Sequence, residues 1–179
     1  GKEGLASSCM ALLTEGTTEL DKLTFAERLA DIASSISSYA GSDNQGVSLS
    51  TLSKNFDATF ALFMDTLIKP GMRGSDLERI NKRRIEAVKQ AKASPASISS
   101  RIAGPVLYGA EHPFGKVTTE ASLAAITVDD CRAHHAKWVR PKGARLFVVG
   151  DLTEAQIRAA FDSSVATAFT GKTGSNPKL

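Results

Sequence analysis

Arg145-Leu146-Phe147-Val148-Val149-Gly150-Asp151 is the most strand-like run in the chain, and the fold turns on how it is read. Its β-branched and aromatic residues follow Pro141 and Gly143 and stop at a Gly-Asp turn, a pattern that predicts a buried strand. No other strand-like run is as apolar, so it is the expected central strand of a sheet, with the neighbouring helices as its cover. Tyr108-Gly109-Ala110-Glu111-His112-Pro113-Phe114-Gly115 leads into it through a short helix and a longer one, Thr127 to Val139.

Further upstream, Lys2 to Leu13 carries Leu5, Cys9, Leu12 and Leu13 at helical spacing, and Glu15-Gly16 ends that helix. Thr24-Phe25-Ala26-Glu27 reads as a capping box opening a helix that buries Phe25, Leu29, Ile32 and Ala33. Ser34 to Gly41 and Gly46 to Leu52 alternate small or polar residues with Ile36, Tyr39, Val47 and Leu49, which predicts an antiparallel hairpin. Asn55 to Ile68 is amphipathic, with Phe56, Phe60, Phe63, Met64 and Leu67 on one face, and Lys69-Pro70-Gly71 stops it. Ser75-Asp76-Leu77-Glu78 is expected to cap a long polar helix reaching about Lys92. Ser94-Pro95 starts another, which Pro105 ends or kinks near Leu107. Val128, Cys131, His135 and Trp138 are the expected inner face of the helix capped by Thr127. Thr153 caps a last helix with Ile157, Phe161, Val165 and Ala168 on one side.

This order predicts an α+β class, two layers with helices packed on a mixed or antiparallel sheet, and one domain over residues 1–170 followed by a linker or frayed end over 171–179. The start at Gly1-Lys2-Glu3, straight into a helix, predicts a piece of something longer with at least one more strand upstream. The chain of 179 residues, 42% hydrophobic and 23% charged, has an ordinary globular composition. No run of about 18 apolar residues is present, so no membrane span is expected. The net charge of +3 is spread out. Its densest cluster, Lys82-Arg83-Arg84, reads as a solvated helix face and, lacking interleaved aromatic residues, not as a nucleic-acid patch. Cys9 and Cys131 each read as a buried free thiol, with a disulfide between them left open.

Chemistry is sparse. His134 and His135 are adjacent and point apart, whereas a helical zinc pair needs residues three or four apart. They read as one surface histidine and one partly buried one. His112, before Pro113, reads as a local hydrogen-bonding residue. No nucleophile elbow, P-loop or dinucleotide fingerprint occurs. Val148-Val149-Gly150-Asp151 could present a helix N-terminus to an anion, but Asp151 and Glu154 oppose that. Asp129 with Asp130, and Glu78 with Glu86, sit in caps or on solvated faces. By these residues alone the chain has no active site of its own.

Three segments, in order, resemble the pitrilysin/insulinase family of zinc metallopeptidases, the processing-peptidase type. They are Gly4-Leu5-Ala6 with Leu12 to Thr17, then Leu52 to Asp57 running to Leu67-Ile68-Lys69-Pro70, and then Leu107-Tyr108-Gly109, His112 to Gly115, Val128 to Trp138, Arg140-Pro141 and Val148 to Asp151. The catalytic half of that family carries His-x-x-Glu-His directly after Gly-Leu-Ala. The histidines and a distant glutamate hold zinc, and the first glutamate activates water. The matching positions here are Ser7, Ser8, Cys9, Met10 and Ala11, and Glu86 falls near the distant ligand. One carboxylate cannot make a site that needs three protein ligands.

The resemblance therefore implies a non-catalytic half with no catalytic residue and no zinc of its own. It would pair with a homologous catalytic domain, fused or separate, which would hold the zinc and with it enclose a peptide substrate. It carries no substrate-binding residue over to this chain, since those of an inactive half lie in the domain that follows, and it leaves any substrate-binding residue of this chain unknown. Strand Gly46 to Leu52 could contribute an edge for β-addition of peptide. A scaffold subunit akin to the core proteins of respiratory complex III is the alternative, and the periplasm is the compartment implied for a bacterial member.

Overall fold

Helix α1 (Leu5–Leu13) is the element around which the others pack. Ser8, Cys9, Met10, Leu12 and Leu13 are all buried, so four of its last six residues are apolar core and one is a buried hydroxyl. The computed structural model describes residues 1–168, with side chains through Asp162; the expected tail 171–179 and the inner positions Val165 and Ala168 lie outside what is described. In chain order the remaining elements are α2 (Lys22–Asp31), β1 (Ser35–Ala40), β2 (Gln45–Ser50), α3 (Phe56–Ile68), α4 (Gly74–Ala91), α5 (Pro95–Tyr108), α6 (Glu120–Ala124), α7 (Val128–Trp138) and α8 (Glu154–Ala168). Single 3-10 turns occupy Ser53–Asn55 and Pro113–Gly115. The class is α+β.

The expected hairpin forms. β1 and β2 pair antiparallel, with Ser35 opposite Ser50, Ile36 opposite Leu49 and Tyr39 opposite Gly46. Serine-rich strands are weak by propensity, and here their hydroxyls find partners. Ser37 and Ser48 bond across the exposed face at 2.9 Å, and the Ser38 hydroxyl donates to the Met10 carbonyl at 2.7 Å, which docks the hairpin on α1. Gly46 is needed because the Tyr39 ring lies over it; a Cβ there would sit 2.7 Å from the ring.

Two clusters make the core. One joins α1, α4, α6 and α7 through Leu12, Leu13, Leu77, Ile80, Leu123 and Cys131. The other gathers Phe25, Leu29, Ile36, Phe60, Phe63 and Met64 from α2, β1 and α3. The Phe161 ring of α8 meets Phe60 edge-on at 4.7 Å between centroids, as the helical stripe in that segment predicts. Between the clusters, Thr17 bridges to Pro70 and the Arg73 guanidinium donates to the Thr17 carbonyl at 2.6 Å. Glu15 accepts from Arg79 at 2.6 Å and pairs with Lys22 at 2.8 Å. Burial works against the Glu15 charge, yet these two cations hold its carboxyl below the ordinary range.

Several sequence expectations need correction. Leu146 to Val149 is not a strand. The two-stranded sheet contains only β1 and β2, and the run is exposed, with Phe147 at 83% and Val149 at 101%. An extended segment cannot satisfy its own backbone, so without a neighbouring strand apolarity alone does not make a ladder. α2 starts earlier than its Thr24 box, capped by Asp21, which accepts from the Thr24 N–H at 2.8 Å. α4 starts at Gly74 with no side-chain cap, so the box at Ser75 is unused. Trp138 is exposed and Val139 takes the buried place, with the Lys137 ammonium 4.9 Å from the Trp138 ring centroid. The caps at Ser94, Thr127 and Thr153 form as read, the last two with reciprocal bonds to Asp130 and Gln156.

Candidate functional site

The five residues that the resemblance sets at the metal positions lie on α1, and four of them, Ser8 to Ala11, are engaged in packing. Ser8 is fully buried, and its hydroxyl donates to the Asn81 Oδ1 of α4 at 2.8 Å. Asn81 in turn donates to the Leu123 carbonyl at 3.2 Å, so one buried chain of polar atoms links α1, α4 and α6. Cys9 is bonded to Cys131 of α7, correcting the reading of two free thiols; the two are 122 residues apart in sequence with their Cα atoms 4.9 Å apart. Met10 is core, with 2% of its surface exposed. Ala11 is half-buried and has no donor atom to offer. Glu86 is on the exposed side of α4 and accepts from Lys89 at 2.7 Å.

This donor set does not fit zinc. A thiolate is needed to ligate, and a disulfide sulfur is not one. The hydroxyl of Ser8 and the carboxylate of Glu86 are directed to other partners. Among the described residues no group of three or more His, Cys, Asp or Glu is placed to hold a metal ion. The histidines are structural. His134 donates to the Gln45 side chain at 2.8 Å and His135 to the Leu67 carbonyl at 2.8 Å, tying α7 to the hairpin and to α3. Both are half-buried, where one surface and one partly buried histidine were expected, and burial pushes the His134 pKa down. His112 accepts from the Phe114 N–H at 3.2 Å and stacks on Tyr108 at 5.4 Å, the local role expected of it. That knuckle closes on α5 at Gly104, where a Cβ would overlap the Phe114 carbonyl oxygen.

What α1 and α4 present to solvent is a pair of adjoining shallow depressions. One, of about 320 Å³, is lined by Ala11, Ile80, Arg83, Arg84 and Ala87. The second, of about 270 Å³, continues past Arg84 and Ala87 to Val88, Arg101, Thr118 and Leu123. The Arg101 guanidinium donates to the Thr118 carbonyl. Arg84 is half-buried, and burial lowers its pKa, a correction to the reading of Lys82-Arg83-Arg84 as wholly solvated. A signal for this was in the sequence. Arg84 has Ile80, Asn81, Ala87 and Val88 as its helical neighbours, with no acid among them.

Residues 2–102 match the insulinase family, Peptidase family M16. The chain belongs to the insulinase family. Solved structures share its fold. The peptidase M16 inactive domain from Pseudomonas fluorescens superposes with a TM-score of 0.89 at 24% identity, over 100% of this chain and 44% of that one. A protease from Helicobacter pylori gives a TM-score of 0.83 at 17% identity, over 99% and 43%. The first half of the periplasmic protease PqqL from Escherichia coli gives 0.79 at 16%, over 98% and 39%. The chain thus spans less than half the length of each of these. No curated protein matches its sequence. Within the insulinase family the catalytic signature is His-x-x-Glu-His, and this member has Ser7-Ser8-Cys9-Met10-Ala11 in its place.

Proposed function

We propose that this chain is the non-catalytic half of an insulinase-family peptidase, pairing with a homologous zinc-bearing half to enclose a peptide. The observation that carries the reading is the fate of the motif helix. Its five positions supply no ligand and no general base, and three of them are locked in the core by Asn81, by Cys131 and by burial of Met10. A helix so used serves architecture, and hydrolysis must then come from another domain. The description of the Pseudomonas fluorescens relative as an inactive domain agrees with this. The disulfide fits an oxidising compartment, and the Escherichia coli relative is described as periplasmic; both support the periplasmic setting implied for a bacterial member.

Co-expression with a homologous half bearing His-x-x-Glu-His tests the pairing. The expected result is a one-to-one complex by size-exclusion chromatography and light scattering that cleaves denatured casein, while this chain alone with zinc does not. Cleavage by this chain alone, or no association with the catalytic half, would overturn the proposal.

A further inference from the structure

The paired depression that begins at Ala11, the last of the five motif positions, is lined by guanidinium groups. Arg83 and Arg84 line one part of it, and Arg84 with Arg101 line the other. Among the described residues none of the three forms a salt bridge, and two carboxylates of the same helical region are paired with lysines instead. Glu86 pairs with Lys89 at 2.7 Å and Glu120 with Lys92 at 2.7 Å. Arg101 is held in place by the Thr118 carbonyl. A half-buried guanidinium with no counter-charge has lost part of its hydration and gained no ionic partner, so it favours an incoming anion. Its planar fork matches a carboxylate with two parallel hydrogen bonds.

We propose that the two adjoining depressions that share Arg84, flanked by Arg83 in one and Arg101 in the other, form a carboxylate-binding site that takes an acidic side chain or the free C-terminus of the enclosed peptide. The inference rests on the chamber reading above and gives the face beside the motif helix a role in substrate choice. The stem of Arg84 also lies along apolar Ile80 and Val88, so a purely packing role is the competing account. Arg84→Met keeps such a stem and removes the charge, and Arg84→Lys keeps the charge without the fork.

The test is calorimetric titration of the 179-residue chain with three unfolded decapeptides, all N-acetylated: one with internal glutamates and an amidated end, one uncharged with a free C-terminus, and one uncharged and amidated. The expected result is that at least one carboxylate-bearing peptide binds about tenfold or more tighter than the uncharged one. That preference should vanish in Arg84→Met and weaken in Arg84→Lys, with circular dichroism unchanged, and the arm that shows it identifies the source of the carboxylate. Equal binding of all three peptides would overturn the carboxylate site while leaving the chamber standing. Absence of peptide binding, or inorganic phosphate competing as tightly as the peptide, would overturn it too, and association with the catalytic half would still judge the pairing separately.

Discussion

Helix α1 and the run Leu146 to Val149 are both short, apolar and decisive for the reading of the sequence, and they end in opposite places. Leu12 and Leu13 are 1% exposed, while Phe147 and Val149 are 83% and 101% exposed. The difference is one of backbone, not of hydrophobicity. A helix closes its own hydrogen bonds and needs only a surface to bury against, which α4, α6 and α7 supply. A strand needs a neighbour to complete it, and β1 and β2 pair only with each other. Apolarity records a demand for burial; whether the demand is met depends on what else is present. Helix α5 makes the same point, since Ile102, Val106 and Leu107 are exposed at 52%, 76% and 74% and none of its residues is buried.

Substitutions should reproduce this contrast, beginning at α1. Removing the Cys9–Cys131 link as the double alanine variant frees a loop of 122 residues in the unfolded chain. The expected loss is about 5 kcal/mol, measured by urea unfolding with and without reductant. A loss that is the same in oxidised and reduced protein would show that the bond does not form in solution. Leu12→Ala should cost about 3 kcal/mol, since the side chain is 1% exposed and the site is packed on several sides. Ser8→Ala leaves the buried Asn81 Oδ1 without its donor and should cost about 1–2 kcal/mol, while Asn81→Ala in the same background should then cost less than alone.

A pH measurement sharpens the edge of the same body. Lys2, together with the Thr127 N–H and hydroxyl, lowers the Asp130 pKa from 3.8 to about 2. A depressed carboxyl contributes stability above the unfolded value, and that contribution is lost as pH falls through the folded one. Stability should therefore decline between about pH 4 and pH 2, and Asp130→Asn should flatten that limb of a thermal-melt series. At the other pole, Phe147→Ser should change stability by less than about 0.5 kcal/mol, because the ring has no core to leave. A loss above about 2 kcal/mol would mean that the run is buried in solution and that the contrast with α1 fails.

Elements that complete themselves were the ones legible in the sequence. The amphipathic α3, the Thr127 box and the Ser94-Pro95 start all follow from local spacing, and they form as read. The hairpin was legible because its two strands are neighbours in sequence and satisfy each other. Residues 145–151 misled because their periodicity carries no information about a partner. The cysteines misled for a related reason, since their closeness is set by the packing of α1 on α7 and not by any spacing. The motif positions of the site were legible only by resemblance. The arginine depressions were read past because a run of basic residues on a polar helix looks like a wet face; the acid-free neighbours of Arg84 were the one local hint, and the packing of α4 shows that Arg84 is half-buried.

Metal content tests the central claim most directly. The 179-residue chain, incubated with excess zinc and desalted, would be assayed by inductively coupled plasma mass spectrometry alongside a Glu86→Gln variant. Far less than one zinc per chain is expected, identical in both. One zinc per chain, lost on substitution of Glu86, would contradict the claim.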